Sequence, residues 1–128
     1  MYNEKVLEHF KDPHNVGIIE NPDGFAEVGS SACGDTMAMY IRVRDGRIDD
    51  IKYKTYGCCA AIASSSIATD MVKGKTVDEA DALTKADIVA ELGGLPEKKI
   101  HCSLMVEDAI HAAIADYRGK MINKEAMG

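Results

Sequence analysis

Residues 37–55 read MAMYIRVRDGRIDDIKYKT, and this stretch decides the fold class. In its first half, apolar and polar side chains alternate, which is the period-two pattern of a strand with one buried face. Asp45-Gly46 follows, and this dipeptide is typical of a tight hairpin turn. The second half is rich in Ile, Tyr and Thr and predicts the returning strand. Residues 25–31 are a weaker strand candidate, so we predict an antiparallel meander of three strands.

Helical patterns stand before and after these strands. We predict a first helix that Asn3 caps and that runs to about Lys11, with Val6, Leu7 and Phe10 on one face. A second helix should cover 60–73 and end at Gly74. Capping sequences at Thr76 and Thr84 should open two short helices, and a last helix should run from about Ser103 to Met121. This order predicts an α+β fold, in which about four to five helices pack on one face of a small three-stranded sheet. Residues 1–128 should form one domain, with 123–128 as a frayed tail.

Composition excludes several functions. The net charge is −6, and an acidic protein repels phosphate backbones, so nucleic acid is not an expected partner. The N-terminal segment is polar, and no apolar stretch has the length of a membrane-spanning helix, so we expect a cytoplasmic protein without membrane contact. Thiols stay reduced in the cytoplasm. The 4 cysteines therefore indicate metal binding or catalysis more than disulfides.

The cysteines are residues 33, 58, 59 and 102, and all lie at predicted boundaries between elements. Such positions are usually more accessible than those inside elements. Because a helix N-terminus favours an anion, we expect the thiolates of Cys58, Cys59 and Cys102 to form easily. No pair has C-x-x-C spacing. Spacing alone therefore leaves open a metal or cluster site, reactive cysteines without metal, and buried structural cysteines.

Longer motifs around the cysteines favour one of these interpretations. The strings are ACGD at 32–35, KTYGC at 54–58, AIASSS at 61–66 and IHCS at 100–103. Together with 2–17 and 107–110, they resemble the IscU/NifU N-terminal family of iron–sulfur cluster scaffolds over nearly the whole chain. The resemblance implies that Cys33, Cys58 and Cys102 ligate a nascent cluster. It also implies that Asp35 tunes cluster release and that His101 is a candidate fourth ligand.

The resemblance implies a scaffold and not an enzyme in the strict sense. Such a protein assembles a transient [2Fe–2S] cluster from iron and from sulfur supplied by a cysteine desulfurase, and passes it to apo-proteins. Cys102 and Cys58 are the candidate sulfur acceptors, because sulfur transfer needs a thiolate. Thiolates suit iron, and three cysteines leave one position for an exchangeable ligand.

Two departures from the family pattern change the expectations. Cys59 stands where many relatives have Gly, and we expect it to be a core residue at the helix start and not a ligand. Residues 95–99 read LPEKK, where many bacterial relatives carry Leu-Pro-Pro-Val-Lys for a DnaK-type chaperone. Chaperone-assisted release is therefore not predicted.

Two other functions stay open as alternatives. The first is a zinc-dependent sulfur acceptor like the SufU sulfurtransferases, in which zinc takes three cysteines and Asp; those relatives usually carry an insertion that has no obvious room between Cys58 and Cys102. Zinc could also bind the isolated scaffold, since three cysteines with Asp or His can form a tetrahedral zinc site. The second is a cysteine-nucleophile hydrolase that uses His101, Cys102 and Asp35. The remaining histidines, His9, His14 and His111, are given no role.

Overall fold

The structure is a computed structural model that describes residues 2–30 and 34–127, and for residues 30 and 123–127 it describes the backbone alone. In chain order the elements are α1 (Glu4–Lys11), β1 (Gly24–Ser30), β2 (Asp35–Arg44), β3 (Arg47–Tyr56), α2 (Cys59–Val72), α3 (Val77–Asp81), α4 (Lys85–Glu91), a 3₁₀ turn (Glu97–Lys99) and α5 (Ile100–Met127). The described chain thus has a three-stranded sheet and five α-helices. The predicted α+β class is confirmed.

The sheet is an antiparallel meander in the order β1-β2-β3. Asp45 and Gly46 join β2 to β3, and both have positive φ, at 53° and 75°. This is the backbone of the tight turns whose twist matches that of the flanking strands. Along β2, Met37, Met39 and Ile41 are buried while the residues between them are partly exposed. One face of the sheet is therefore the core face, as the alternation predicts.

Helices α2 and α5 supply the other side of the core. Helix α2 is buried on almost every side, and most of its buried residues are small, among them Ala60, Ala61, Ala63 and Ala68. A helix without an exposed polar face is typical of a central position in the core. The side-chain oxygens of Ser64 on α2 and Ser103 on α5 lie 3.0 Å apart. The N-terminal ends of the two helices are therefore held side by side.

The capping signals of the sequence are confirmed. The Asn3 side chain accepts a hydrogen bond from the Val6 N–H, and Thr76 and Thr84 each form a complete capping box. Gly74 follows the C-cap of α2 with φ 85°, a left-handed backbone that favours glycine. These caps satisfy backbone groups that a helix end leaves without an intrahelical partner.

Two expectations about helices are wrong. Helix α5 begins at Ile100, because the 3₁₀ turn runs straight into it, and it continues through 123–127, where we expected a frayed tail. On α1 the buried residues are Val6 and His9, whereas Leu7 and Phe10 are 36% and 42% exposed. The hydrophobic pattern missed His9 because its ring is buried through a polar contact described below.

The connection between α1 and β1 runs along the edge of the sheet. The Gly17 N–H donates to the Tyr53 carbonyl at 2.9 Å, and the Tyr53 N–H donates to the Asn15 carbonyl at 3.1 Å. This pairing covers part of the β3 edge, which would otherwise present free backbone groups. Within residues 2–30 and 34–127, no helix combines the length and the apolarity needed to span a bilayer.

Candidate metal centre

Three potential ligands meet where β2, α2 and α5 begin. Asp35 is the first residue of β2, Cys58 is the N-cap of α2, and Cys102 lies in the first turn of α5. One ligand atom from each lies within 4.8 Å of the others. The two sulfurs are 3.5 Å apart. Residues separated by 67 positions in sequence (35 to 102) are thus brought to one point by the packing of the two helices against the sheet.

Gly57 allows this close approach. A Cβ atom placed on Gly57 would lie 2.8 Å from the Cβ of Ala61 and 3.4 Å from Cγ of Asp35. The first distance is shorter than side-chain carbons tolerate, so any larger residue at position 57 would force the turn into α2 to shift. In the sequence Gly57 is one residue of the KTYGC motif; only the structure shows that it allows Cys58 to lie beside Asp35.

The Cys58 sulfur is not used by its own helix. Cys58 occupies the N-cap position with extended backbone, yet its side chain makes no capping hydrogen bond. Its carbonyl accepts from the Ile62 N–H at 3.1 Å. The sulfur contacts Cys102 instead of the α2 backbone. A position that usually holds Ser, Thr, Asp or Asn for stability therefore carries a thiol that contacts another potential ligand instead of capping the helix.

Cys102 is completely buried. Burial raises the pKa of its thiol to about 12, the contact with Cys58 and the charge of Asp35 act in the same direction, and Lys99 opposes them. Burial also raises the pKa of Cys59, and the neighbouring Cys58 adds to this. Our expectations of easily formed thiolates at Cys59 and Cys102, and of an accessible Cys102, are therefore wrong. Loss of water around the sulfur outweighs the helix N-terminus.

The other predicted site residues are placed as follows. Cys33 lies outside the described residues. His101 is exposed, and its Nε2 is 3.6 Å from the Cys102 sulfur, so it is adjacent to the centre. Cys59 is half-buried against the hydrophobic core and is not in the group of Asp35, Cys58 and Cys102. Because Cys58 packs against the core in the same half-buried way, the expectation that Cys59 is a core residue and not a ligand stays a prediction.

Two further residues lie close to the centre. Lys99, at the end of the 3₁₀ turn, lowers the pKa of Cys102. Tyr2 lies close enough to interact with Lys99 and the cysteines; burial raises its pKa, Cys58 raises it further, and Lys99 lowers it. The sequence pattern did not mark either residue as functional. Lys99 stands in the LPEKK segment, so its proximity to Cys102 in sequence was the only available signal.

The donor set decides which ions fit. Two thiols and a carboxylate within 4.8 Å of one another offer the sulfur and oxygen ligands that zinc accepts and the thiolates that iron–sulfur clusters use. Metal binding and sulfur transfer both require the thiolate, so each must supply the free energy of removing the Cys102 proton, which the high pKa makes large. The nearby Lys99 reduces that cost. Fold and site together define an α+β domain with a largely buried centre of cysteine and aspartate.

Comparison with known proteins places the chain in a family. Residues 1–124 match the family described as the NifU-like N terminal domain. The match covers nearly the whole sequence, and the chain therefore belongs to this family. The resemblance noted from the motifs is confirmed.

Curated relatives are similar over most of their length. The chain is 54% identical over 117 residues to the "Iron-sulfur cluster assembly scaffold protein IscU 1" of Archaeoglobus fulgidus, covering 91% of this chain and 76% of that protein. It is 54% identical over 123 residues to the Escherichia coli protein named "Iron-sulfur cluster assembly scaffold protein IscU", covering 93% and 95%. A Drosophila melanogaster protein that is 51% identical, with 98% and 84% covered, is named an assembly enzyme.

Solved structures share the fold. A NifU-like N-terminal protein from Brucella abortus aligns with a TM-score of 0.75 at 27% identity, covering 92% of this chain and 94% of that one. A SufU protein from Fervidobacterium islandicum aligns with a TM-score of 0.71 at 24% identity, covering 88% and 96%. The second likeness concerns the fold alone.

Proposed function

We propose that this protein is a scaffold on which a transient [2Fe–2S] cluster is assembled and from which it passes to apo-proteins. The observation that carries the proposal is the convergence of Asp35, Cys58 and Cys102 at the common end of three elements. The names of the relatives support the same role. The cluster is a cargo in this proposal, so the protein acts as a scaffold and not as an enzyme.

Cys33 completes the proposed ligand set. It precedes Asp35 by two residues in the sequence and belongs to the same ACGD motif, the first of the three cysteine motifs of the family. Three thiolates then bind the two irons, and Asp35 or His101 takes the fourth protein-ligand position of the cluster. An oxygen or imidazole ligand binds a cluster iron less firmly than a thiolate. The site would therefore hold the cluster and still release it.

Sulfur reaches the site through thiol chemistry in this proposal. The thiolate of Cys58 or Cys102 attacks the terminal sulfur of a persulfide on a cysteine desulfurase; a new S–S bond forms, the old one breaks, and the desulfurase thiolate leaves. Two ferrous ions supply two electrons and two transferred sulfurs need four to become sulfide. A dithiol reductant supplies the other two electrons.

Anaerobic reconstitution tests the proposal. The full chain is mixed with ferrous iron, free cysteine, a dithiol and a cysteine desulfurase, and visible absorption, iron and sulfide are measured. We expect about two irons and two sulfides per chain in wild type, and at least a tenfold loss of chromophore in Cys33→Ser, Cys58→Ser and Cys102→Ser. Cys59→Ser is the matched control and should retain the chromophore. Circular dichroism verifies that each variant is folded.

Asp35 is tested by the rate of cluster loss. Asp35→Ala should slow the transfer of iron to a chelator several-fold. The reason is that the variant lacks a carboxylate that competes with the thiolates for the iron and so weakens their hold on the cluster. Unchanged loss would contradict the release role of Asp35. A chromophore that survives Cys58→Ser, or that disappears equally in Cys59→Ser, would contradict the ligand set and with it the scaffold proposal.

A zinc-bound sulfur acceptor is the second candidate function. The observation that favours it is that the described donor group contains a carboxylate beside two thiols, and zinc accepts both kinds of ligand. Under this alternative the reconstitution gives no chromophore, the protein keeps about one tightly bound zinc, and it stimulates the desulfurase. The chromophore therefore distinguishes the cluster scaffold, which forms it, from the zinc-bound sulfur acceptor, which does not.

A further inference from the structure

A second group of potential ligands lies away from the cysteines. His9 on α1, His14 in the following loop and Asp70 on α2 each offer a ligand atom, and these atoms lie within 4.8 Å of one another. Asp70 is 12 positions (58 to 70) along the chain from Cys58, which is about 18 Å on a helix. The two groups therefore cannot share an ion.

The two histidines are held in place by Ser66. The Ser66 Oγ lies 2.7 Å from Nδ1 of His9 and accepts the backbone N–H of His14 at 2.9 Å. The two rings meet edge to face, with centroids 4.9 Å apart. A hydrogen bond at Nδ1 leaves Nε2 of His9 available, and such a second partner is what orients histidine ligands in metal sites.

Asp70 is oriented in the same way. Its Oδ1 accepts the Asn15 side-chain N–H at 2.9 Å, while its Oδ2 lies 2.5 Å from Nδ1 of His14. An ion bound between those two atoms would replace the shared proton and separate them to about 3.3 Å, given metal–ligand distances of about 2.0–2.1 Å. The increase of about 0.8 Å is small. The His14 side chain is 49% exposed and can move by that amount.

The surroundings favour a cation and leave room for water. A cavity of about 410 Å³ adjoins the group and is lined by Glu8, His9, Lys11, Asp12 and His14. With Asp70, the carboxylates of Glu8 and Asp12 outnumber the single lysine of the lining. Two imidazoles and a carboxylate with open positions are typical of sites for zinc or ferrous iron that keep one or more water ligands.

We propose that His9, His14 and Asp70 bind a divalent first-row transition-metal ion, of which zinc and ferrous iron are the fitting members. This histidine–aspartate site is separate from the cysteine centre. It would tie α1 and its loop to α2 through the ion. The ion would thereby stabilise the folded chain in proportion to its occupancy.

Zinc titration of the full wild-type chain, followed by NMR of the histidine rings, tests the site. The first equivalent should fill the cysteine centre and move the signals of His101. The second should move those of His9 and His14 together, in a saturable step, and leave His111 unmoved. Asp70→Asn should weaken this second step at least tenfold. Asp81→Asn removes a carboxylate elsewhere and should leave the step unchanged.

His14→Ala provides a second variant, because it removes an exposed ligand without opening the core. It should also abolish the zinc-dependent rise of the thermal midpoint that belongs to the second equivalent. The proposal is overturned if His9 and His14 do not respond to a second equivalent. It is also overturned if the zinc-dependent step survives both Asp70→Asn and His14→Ala with less than a threefold change in affinity.

Discussion

The two ends of helix α2 use polar side chains in different ways. At its N-terminal end, Cys58 occupies the cap position but its side chain makes no capping hydrogen bond. The contacts there are long ones to sulfur, between Cys58 and Cys102 and between Cys102 and His101. Further along the helix, Ser66 and Asp70 form short hydrogen bonds to the loop of His14. The first end has few strong internal partners and the second end is densely bonded.

The proposed function accounts for the difference. Under that proposal, groups that accept and release a cluster cannot already be satisfied by the fold, and the cap hydrogen bond is absent at Cys58. Groups that attach a loop gain stability only if they are paired in the folded chain. Changes at the cysteine end should therefore alter the cargo, and changes at the histidine end should alter stability. The three predictions below test this separation.

The largest effect is expected from Gly57→Ala. The new Cβ would clash with the Ala61 Cβ at 2.8 Å, and overpacking of this kind costs about 1–3 kcal/mol. The turn must shift and carry Cys58 away from Cys102. We therefore expect loss of the reconstituted chromophore as well as a lower thermal midpoint, measured by visible absorption and circular dichroism.

Ala61→Gly is the control for that change, because it removes the atom that the methyl group introduced at position 57 would meet. Combined with Gly57→Ala, it should restore the chromophore even though glycine in a helix costs about 1 kcal/mol. A double variant that stays without chromophore would show that the space beside Ala61 is not the reason for glycine at this position.

A smaller effect is expected from Ser66→Ala. It removes the partner of the His9 ring and of the His14 N–H. Because His9 is only 9% exposed and Ser66 is fully buried, water replaces little of the lost contact, and we expect about 1–3 kcal/mol lower stability in chemical denaturation. The chromophore should form as in wild type. A cluster defect in this variant would break the separation between the two ends.

The smallest effect concerns pH in chelator-treated protein. The hydrogen bond to Asp70 raises the pKa of His14, so the pair contributes stability fully below the unfolded value of about 6.5 and loses it as pH rises through the folded pKa. Both side chains are more than a third exposed, at 49% and 39%, which limits the contribution to about 0.2–1 kcal/mol.

Asp70→Asn isolates this contribution. The variant should be less stable than wild type at pH 5.5 and should approach it at pH 8.5, as measured by denaturant midpoints. Burial lowers the pKa of His9, and the charge of Asp70 partly offsets this. The variant therefore also loses stability at low pH through His9, in the same direction as through His14. A stability difference that grows with rising pH would contradict the assignment.

Much of the fold was predictable because its signals are local. The period-two pattern of 37–44, the Asp45-Gly46 turn and the capping sequences at Thr76 and Thr84 each depend on neighbours a few residues apart, and all are confirmed. The limits of α5 were less predictable, since they depend on how the preceding 3₁₀ turn joins the helix. The pKa of Cys102 was not predictable either, because burial is a property of the packed chain.

The sequence by itself determined the family and the candidate ligands Cys33, Cys58 and Cys102, since both depend on residue types in a fixed order. It did not indicate that His9, His14 and Asp70 meet, because they belong to three segments with no common motif. It also did not indicate why residue 57 is glycine. Only the tertiary structure decided these points, because distances between remote segments arise from the packing of α1, α2 and α5 around the sheet.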